Sequence, residues 1–321
     1  MSENKSLLSS GLGMVGRNKR YIFWFWVLNL LFAQFGTAAF TASAHVVLDH
    51  SLVADRLVHG FDAAVMSELF ARPEFGQMAA MGAAGVCFAI VFFLATVLFL
   101  PGVFQGYAST YRLPREDFFR ACGRNLWRYI RLLCVAGIVM LLATAALFGT
   151  HGVLERKAAE STNELLLPEV RLIGLGVIFL IMTCFRIWFD LAEADVVLSD
   201  QRAVRKSIGA AFRQTFQGLA RLLTSYVVAT LVAAIVLVGG LWVWNRFVKP
   251  ESLIGAFLVS EFTLFLLLIP RFWQRGVAVS YWKQRMMVPV VTVQPITPLP
   301  VIQPVIPQPV PAAAPEIPPL V

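Results

Sequence analysis

The chain has 321 residues, of which 58% are hydrophobic and only 14% charged, whereas soluble domains carry about a quarter charged residues. That composition excludes an ordinary water-soluble enzyme. The net charge of +8 would suit nucleic acid, but the Lys and Arg lie beside apolar segments and form no basic domain of their own, so no nucleic-acid partner is expected.

Residues 1–20 read as an N-terminal arm carrying Lys5, Arg17, Lys19 and Arg20. Six apolar stretches follow, near Tyr21–Ala44, Met78–Val103, Tyr129–Thr150, Val170–Phe189, Leu222–Asn245 and Ser252–Ile269. Each approaches the roughly 20 apolar residues a helix needs to cross hydrocarbon, where the backbone must satisfy its own hydrogen bonds. The predicted fold class is therefore all-α: a polytopic bundle of six spans over residues 21–287, arranged as three helical hairpins. The short connection at Arg246–Glu251 suits antiparallel neighbours. An alternative reading makes the first stretch a secretory signal cut before His45, after Thr41-Ala42-Ser43-Ala44. Its apolar run is longer than the 7–15 residues usual for such a signal.

Twenty of the 27 Lys and Arg fall in the arm, between spans two and three, between spans four and five, and after span six. The positive-inside rule puts those segments, and both termini, in the cytoplasm. Two of the segments read as amphipathic helices, near 116–131 and 203–221. In the first, Phe118, Cys122, Leu126 and Ile130 recur at four-residue steps among arginines; in the second, Val204, Ile208, Phe212 and Phe216 do the same. Membrane lipids, with anionic headgroups among them, are the expected partners of such helices. Cys87, Cys134 and Cys184 fall in spans and Cys122 in a connector, with no CxxC spacing and no disulfide framework.

The hairpins resemble one another. Gly106-Tyr107-Ala108-Ser109-Thr110-Tyr111 aligns with Gly276-Val277-Ala278-Val279-Ser280-Tyr281 and, less well, with Asp190-Leu191-Ala192-Glu193-Ala194-Asp195, at spacings of 84 and 86 residues. A degenerate threefold repeat is the expectation. Residues 288–321 hold 11 of the 17 prolines and read as a disordered polyproline tail. The PxxP matches at Pro295–Pro298 and Pro304–Pro307 lack basic flanks, so a spacer is the first reading and a protein-docking segment the second.

Glu261, in the middle of span six, is the leading candidate site residue. An intramembrane carboxylate must be partnered, hydrated or protonated. Gln34 and Asn29 of span one bracket its depth, and Thr144 lies nearby. The residue is either part of a ligand or proton pathway or a hydrogen-bonding tie between helices. At the inner end of span four, Arg186, Asp190, Glu193 and Asp195 form a charged cluster; Arg186 and Asp190 sit four apart on one helical face. A salt-bridge network to the amphipathic helices is the first reading, a cation site the second. His45, Asp49, His50 and His59 have a spacing that could gather around zinc, but no HExxH, GxxxxGK[ST] or GxSxG motif is present, and no metal or cofactor is expected. Ala80-x-x-x-Ala84 and Gly85-x-x-x-Ala89 in span two would allow close helix approach, hence an oligomer.

The six spans, the arginine-bearing connectors and the run from Asp190-Leu191-Ala192 through Asp200-Gln201-Arg202-Ala203-Val204 to Ser207-Ile208-Gly209-Ala210-Ala211-Phe212 resemble a loose group of bacterial membrane proteins of unknown function. The group includes the membrane domain found ahead of some glycerophosphodiester phosphodiesterases. The resemblance implies a helical bundle in a bacterial inner membrane. No soluble phosphodiesterase domain is read here, so that activity is not expected. A non-enzymatic scaffold or accessory factor is the leading expectation, followed by a small-solute or lipid transporter with Glu261 in its pathway. A metallohydrolase using the histidines comes last.

Overall fold

The computed structural model describes residues 6–48, 78–161, 163, 165–201, 203–249 and 252–286, the side chains of 34–48, 78–85, 87–89 and 253 excepted. The chain divides after Met287; the second unit, Val288–Val321 with its PxxP matches, lies outside the described residues. All regular structure among the described residues is α-helical. The helices are α1 (Leu7–Arg17), α2 (Lys19–Leu48), α3 (Met78–Ala108), α4 (Arg115–Ala159), α5 (Leu166–Leu198), α6 (Val204–Gln217), α7 (Leu219–Phe247) and α8 (Leu253–Arg285). Five of them, α3, α4, α5, α7 and α8, are long and apolar enough to cross a membrane. A further helix of 30 residues, α2, covers the first apolar stretch.

Neighbours in sequence are neighbours in space, and their contacts run in opposite order along each pair. Tyr21 meets Gly106 and Phe32 meets Phe92 between α2 and α3. Tyr129 meets Glu193, Thr144 meets Met182 and His151 meets Gly174 between α4 and α5. Tyr226 meets Gln274 and Gly240 meets Thr263 between α7 and α8. The 45 residues of α4 make a rod of about 67 Å, far longer than a bilayer core, so its arginine-bearing first third and its apolar remainder form one continuous helix.

The arm at residues 1–20 contains a helix of its own. Ser6 caps α1 by accepting from the Ser9 backbone N–H at 3.2 Å, and Asn18 ends it by donating its own N–H to Met14 and Val15. Leu7, Gly11 and Val15, at four-residue steps, form its buried face. That face rests on α8, where two backbones touch: a Cβ on Gly276 would lie 2.6 Å from the Gly11 carbonyl oxygen. Only glycine permits this approach.

Three short basic helical segments thus each lie on a long helix. α1 lies on α8, tied by Trp273 Nε1 donating to the Leu8 carbonyl at 2.9 Å. The first third of α4 lies on α3, with Phe118 and Cys122 against Gly102. α6 lies on α5, tied by Trp188 Nε1 donating to the Ile208 carbonyl at 2.9 Å. The first and the last use the same device, an indole reaching a carbonyl of the shorter helix. At the end of α3 and in the loop after it, the carbonyls of Ala108, Ser109 and Leu113 receive Lys283, Arg17 and Arg20, so cations from three helices satisfy acceptors left open where the helix stops.

Burial concentrates at this arginine-rich end. Val103, Phe104 and Tyr107 of α3, Tyr129 and Leu132 of α4, Leu191 to Val197 of α5, Leu222 and Tyr226 of α7, and Val277 to Tyr281 of α8 form the core. Toward the other end the helices keep their apolar side chains outward: Leu172 is 77% exposed, Ile235 70% and Ile254 75%. Such a surface has no aqueous explanation and suits hydrocarbon.

Candidate functional site

One turn of α5 organises the arginine-rich end. Its acids Asp190, Glu193 and Asp195 are all buried, and each accepts a hydrogen bond from an aromatic side chain of a different helix. Tyr226 of α7 donates to Asp190 at 2.7 Å, Tyr129 of α4 to Glu193 at 2.6 Å, and Trp282 of α8 to Asp195 at 3.0 Å. Asp190 and Glu193, three apart, share a face of α5 while Asp195 points away from it, so one stretch of helix pins three others. A neutral phenol or indole donor satisfies a buried carboxylate without bringing a second charge out of water.

The arginines expected to meet these acids are distributed differently. Arg186 Nε stands 3.9 Å from Asp190, a long contact. Arg124 and Arg128 of the amphipathic segment go instead to Asp200, just past the end of α5. Asp200 has a left-handed backbone, φ 54°, a conformation that Asp tolerates better than most residues.

Beside the acids lies a cavity of about 480 Å³, within the range of small-ligand sites. Its walls are apolar, from Phe93 and Val97 of α3, Leu133 and Met140 of α4, and Phe179 and Met182 of α5. Its floor is polar, from Arg186, Asp190 and Glu193 of α5 and Arg271, Gln274 and Arg275 of α8. Gln274 is engaged, donating to Thr230 Oγ1 at 3.0 Å. Arg275 is different: only 8% exposed, it lies over the Phe272 ring at 5.4 Å, and its Nε has no hydrogen-bond partner. The sequence places Arg275 among the cations after span six and gives no site signal at Tyr129, Tyr226, Trp282 or Gln274. The period of α8 does put Arg271 and Arg275 one turn apart on one face, a readable signal.

Glu261 lies elsewhere. Half-buried on α8, it accepts from Trp26 Nε1 of α2 at 3.1 Å and does not line the cavity. Asn29 sits one turn further along α2, while the Gln34 side chain is outside the described residues. The side chain of His45 and all of Asp49, His50 and His59 lie outside them as well; Ala80, Ala84, Gly85 and Ala89 fall in α3, their side chains outside the description. Among the described residues no group of His, Cys, Asp or Glu is placed to hold a metal ion. His151 lies against Gly174, its Nε2 3.5 Å from Glu155, which also takes Arg171 at 2.9 Å.

A guanidinium whose Nε has no hydrogen-bond partner thus meets an apolar chamber, an arrangement that can bind an anion carrying an apolar group. No family model matches the chain, and no curated protein and no solved structure matches it at a significant level.

Proposed function

We propose that this is a six-span bacterial inner-membrane protein, both termini cytoplasmic, that acts as a non-enzymatic accessory or carrier protein by holding a bilayer-derived ligand in the cavity at its arginine-rich end. The observation that carries the reading is the meeting of apolar walls with a polar floor on which three guanidiniums face two carboxylates and Arg275, buried, keeps an Nε without a hydrogen-bond partner. In this reading α2 supplies the sixth span, and α2–α3, α4–α5 and α7–α8 are three related hairpins, each preceded by an amphipathic helix at the cytoplasmic face. Glu261 is then a tie between α2 and α8 through Trp26 and not a station on a pathway.

The test is to purify the full chain in mild detergent, extract it with organic solvent and quantify bound amphiphiles per protein. Ala136→Trp, on the cavity wall, fills the space; Thr183→Phe fills it from the facing helix. One ligand per chain in the parent and loss of it in both filled variants, with their melting temperatures retained, is the expected result. Identical lipid content in all three proteins overturns the reading.

A further inference from the structure

Resting on the reading above, we infer that the ligand is a monoanionic amphiphile, whose single negative charge sits against Arg275 and Arg271 and whose alkyl chain lies along the walls formed by Phe93, Val97, Met140 and Phe179. Charge balance comes first. Arg186, Arg271 and Arg275 line the floor with Asp190 and Glu193, so the cavity holds one more guanidinium than carboxylate. Arg186 stands nearest Asp190, and Glu193, which accepts from the Tyr129 hydroxyl, can balance only one of Arg271 and Arg275. One positive charge of that pair is left over, and Arg275 is buried with an Nε that has no hydrogen-bond partner.

Geometry adds the chemical class. Arg271 and Arg275 lie one turn apart on α8, and a guanidinium presents a planar fork that matches the two oxygens of a phosphodiester or a carboxylate. The apolar walls reject a bare hydrated anion and favour one attached to a chain. The level also fits, because the cavity opens among the ends of the spans that carry the arginine-rich connectors, where anionic headgroups collect in a cytoplasmic leaflet. A phospholipid diester and an ionised fatty acid share this chemistry, and the experiment separates them.

Equilibrium binding of three pyrene-labelled probes to delipidated full-length protein in a non-ionic detergent provides the test: a phosphatidylglycerol, a phosphatidylcholine and a fatty acid at a pH where it is ionised. One or both anionic probes are expected to bind about tenfold or more tightly than the choline lipid, the size of one charge-assisted hydrogen bond. Whichever anion binds more tightly identifies the source. Arg275→Lys keeps the preference and Arg275→Met reduces it to about twofold or less. Without ligand, Arg275→Met melts no lower than the parent, because it removes a buried guanidinium from a cavity that holds one more of them than carboxylates. A lower melting temperature for the ligand-free Arg275→Met would make Arg275 a structural counter-ion to Glu193 and overturn the inference. So would equal binding of all three probes, or an anion preference unchanged in Arg275→Met. If Ala136→Trp leaves all binding intact, the cavity reading itself falls; if it abolishes binding while the charge preference is absent, only the anionic ligand is lost.

Discussion

The two ends of the bundle are built on different principles. At the arginine-rich end the helices touch side chain to side chain, and buried acids are answered by Tyr129, Tyr226 and Trp282 across three interfaces. At the far end α4, α5, α7 and α8 turn Leu141, Leu172, Ile235 and Ile254 outward, and polar ties are sparse. The difference follows from the solvent each end has to exclude. Apolar side chains gain little by leaving lipid for one another, so specificity between helices in a membrane rests on close packing and hydrogen bonds. This chain places both at one end.

The contrast is sharpest at the backbone contact of α1 with α8. Gly11→Leu or Gly276→Val must displace α1, because the new Cβ would fall within 3 Å of backbone atoms. We expect a loss of about 3 kcal/mol in reversible unfolding, with new proteolysis after α1. A stable, protease-resistant variant would show that α1 contributes nothing to the packed end. Next in size, Tyr129→Phe leaves Glu193 buried without its donor and should cost about 1–3 kcal/mol. A double-mutant cycle with Glu193→Gln measures the coupling directly, and additivity would sink the pairing.

Glu261→Gln is the intermediate case, since the amide oxygen still accepts from Trp26. The expected change in stability is about 0.5 kcal/mol or less, whereas Trp26→Phe, which removes the donor, should cost about 1 kcal/mol. Equal effects would mean that the carboxylate is held by something other than the indole. Smallest of all, Leu172→Ala and Ile235→Ala at the far end should fall within about 0.5 kcal/mol of the parent. A large loss from either would identify a protein surface where the comparison above places lipid.

How much of this the sequence discloses depends on the kind of force involved. The long helices are legible because apolar length is a local property, and α4 adds that its connector and span are one helix. The helix α1 is not, since Gly11, Gly13 and Gly16 lower its intrinsic propensity and its stability comes from a partner over 250 residues away. At the site, Asp190, Glu193 and Asp195 attract attention by charge, and their one-helix arrangement can be read from spacing. Their donors cannot. Tyr129, Tyr226 and Trp282 are ordinary aromatics in apolar sequence until the fold brings them together, and the isolation of Arg275 is visible only once its neighbours are known to be engaged elsewhere.

The seat of α1 on α8 also orders the birth of the molecule. Trp273 and Gly276 leave the ribosome after most of the membrane region has been made, so the apolar face of α1 lacks its main seat until α8 arrives. Pairs such as α4 with α5 close over short loops and can form as they emerge, but the seat of α1 stays open until α8 has been made. A chain that stops short of α8 therefore presents an amphipathic helix with a bare apolar face, and this exposed face distinguishes it from a finished product.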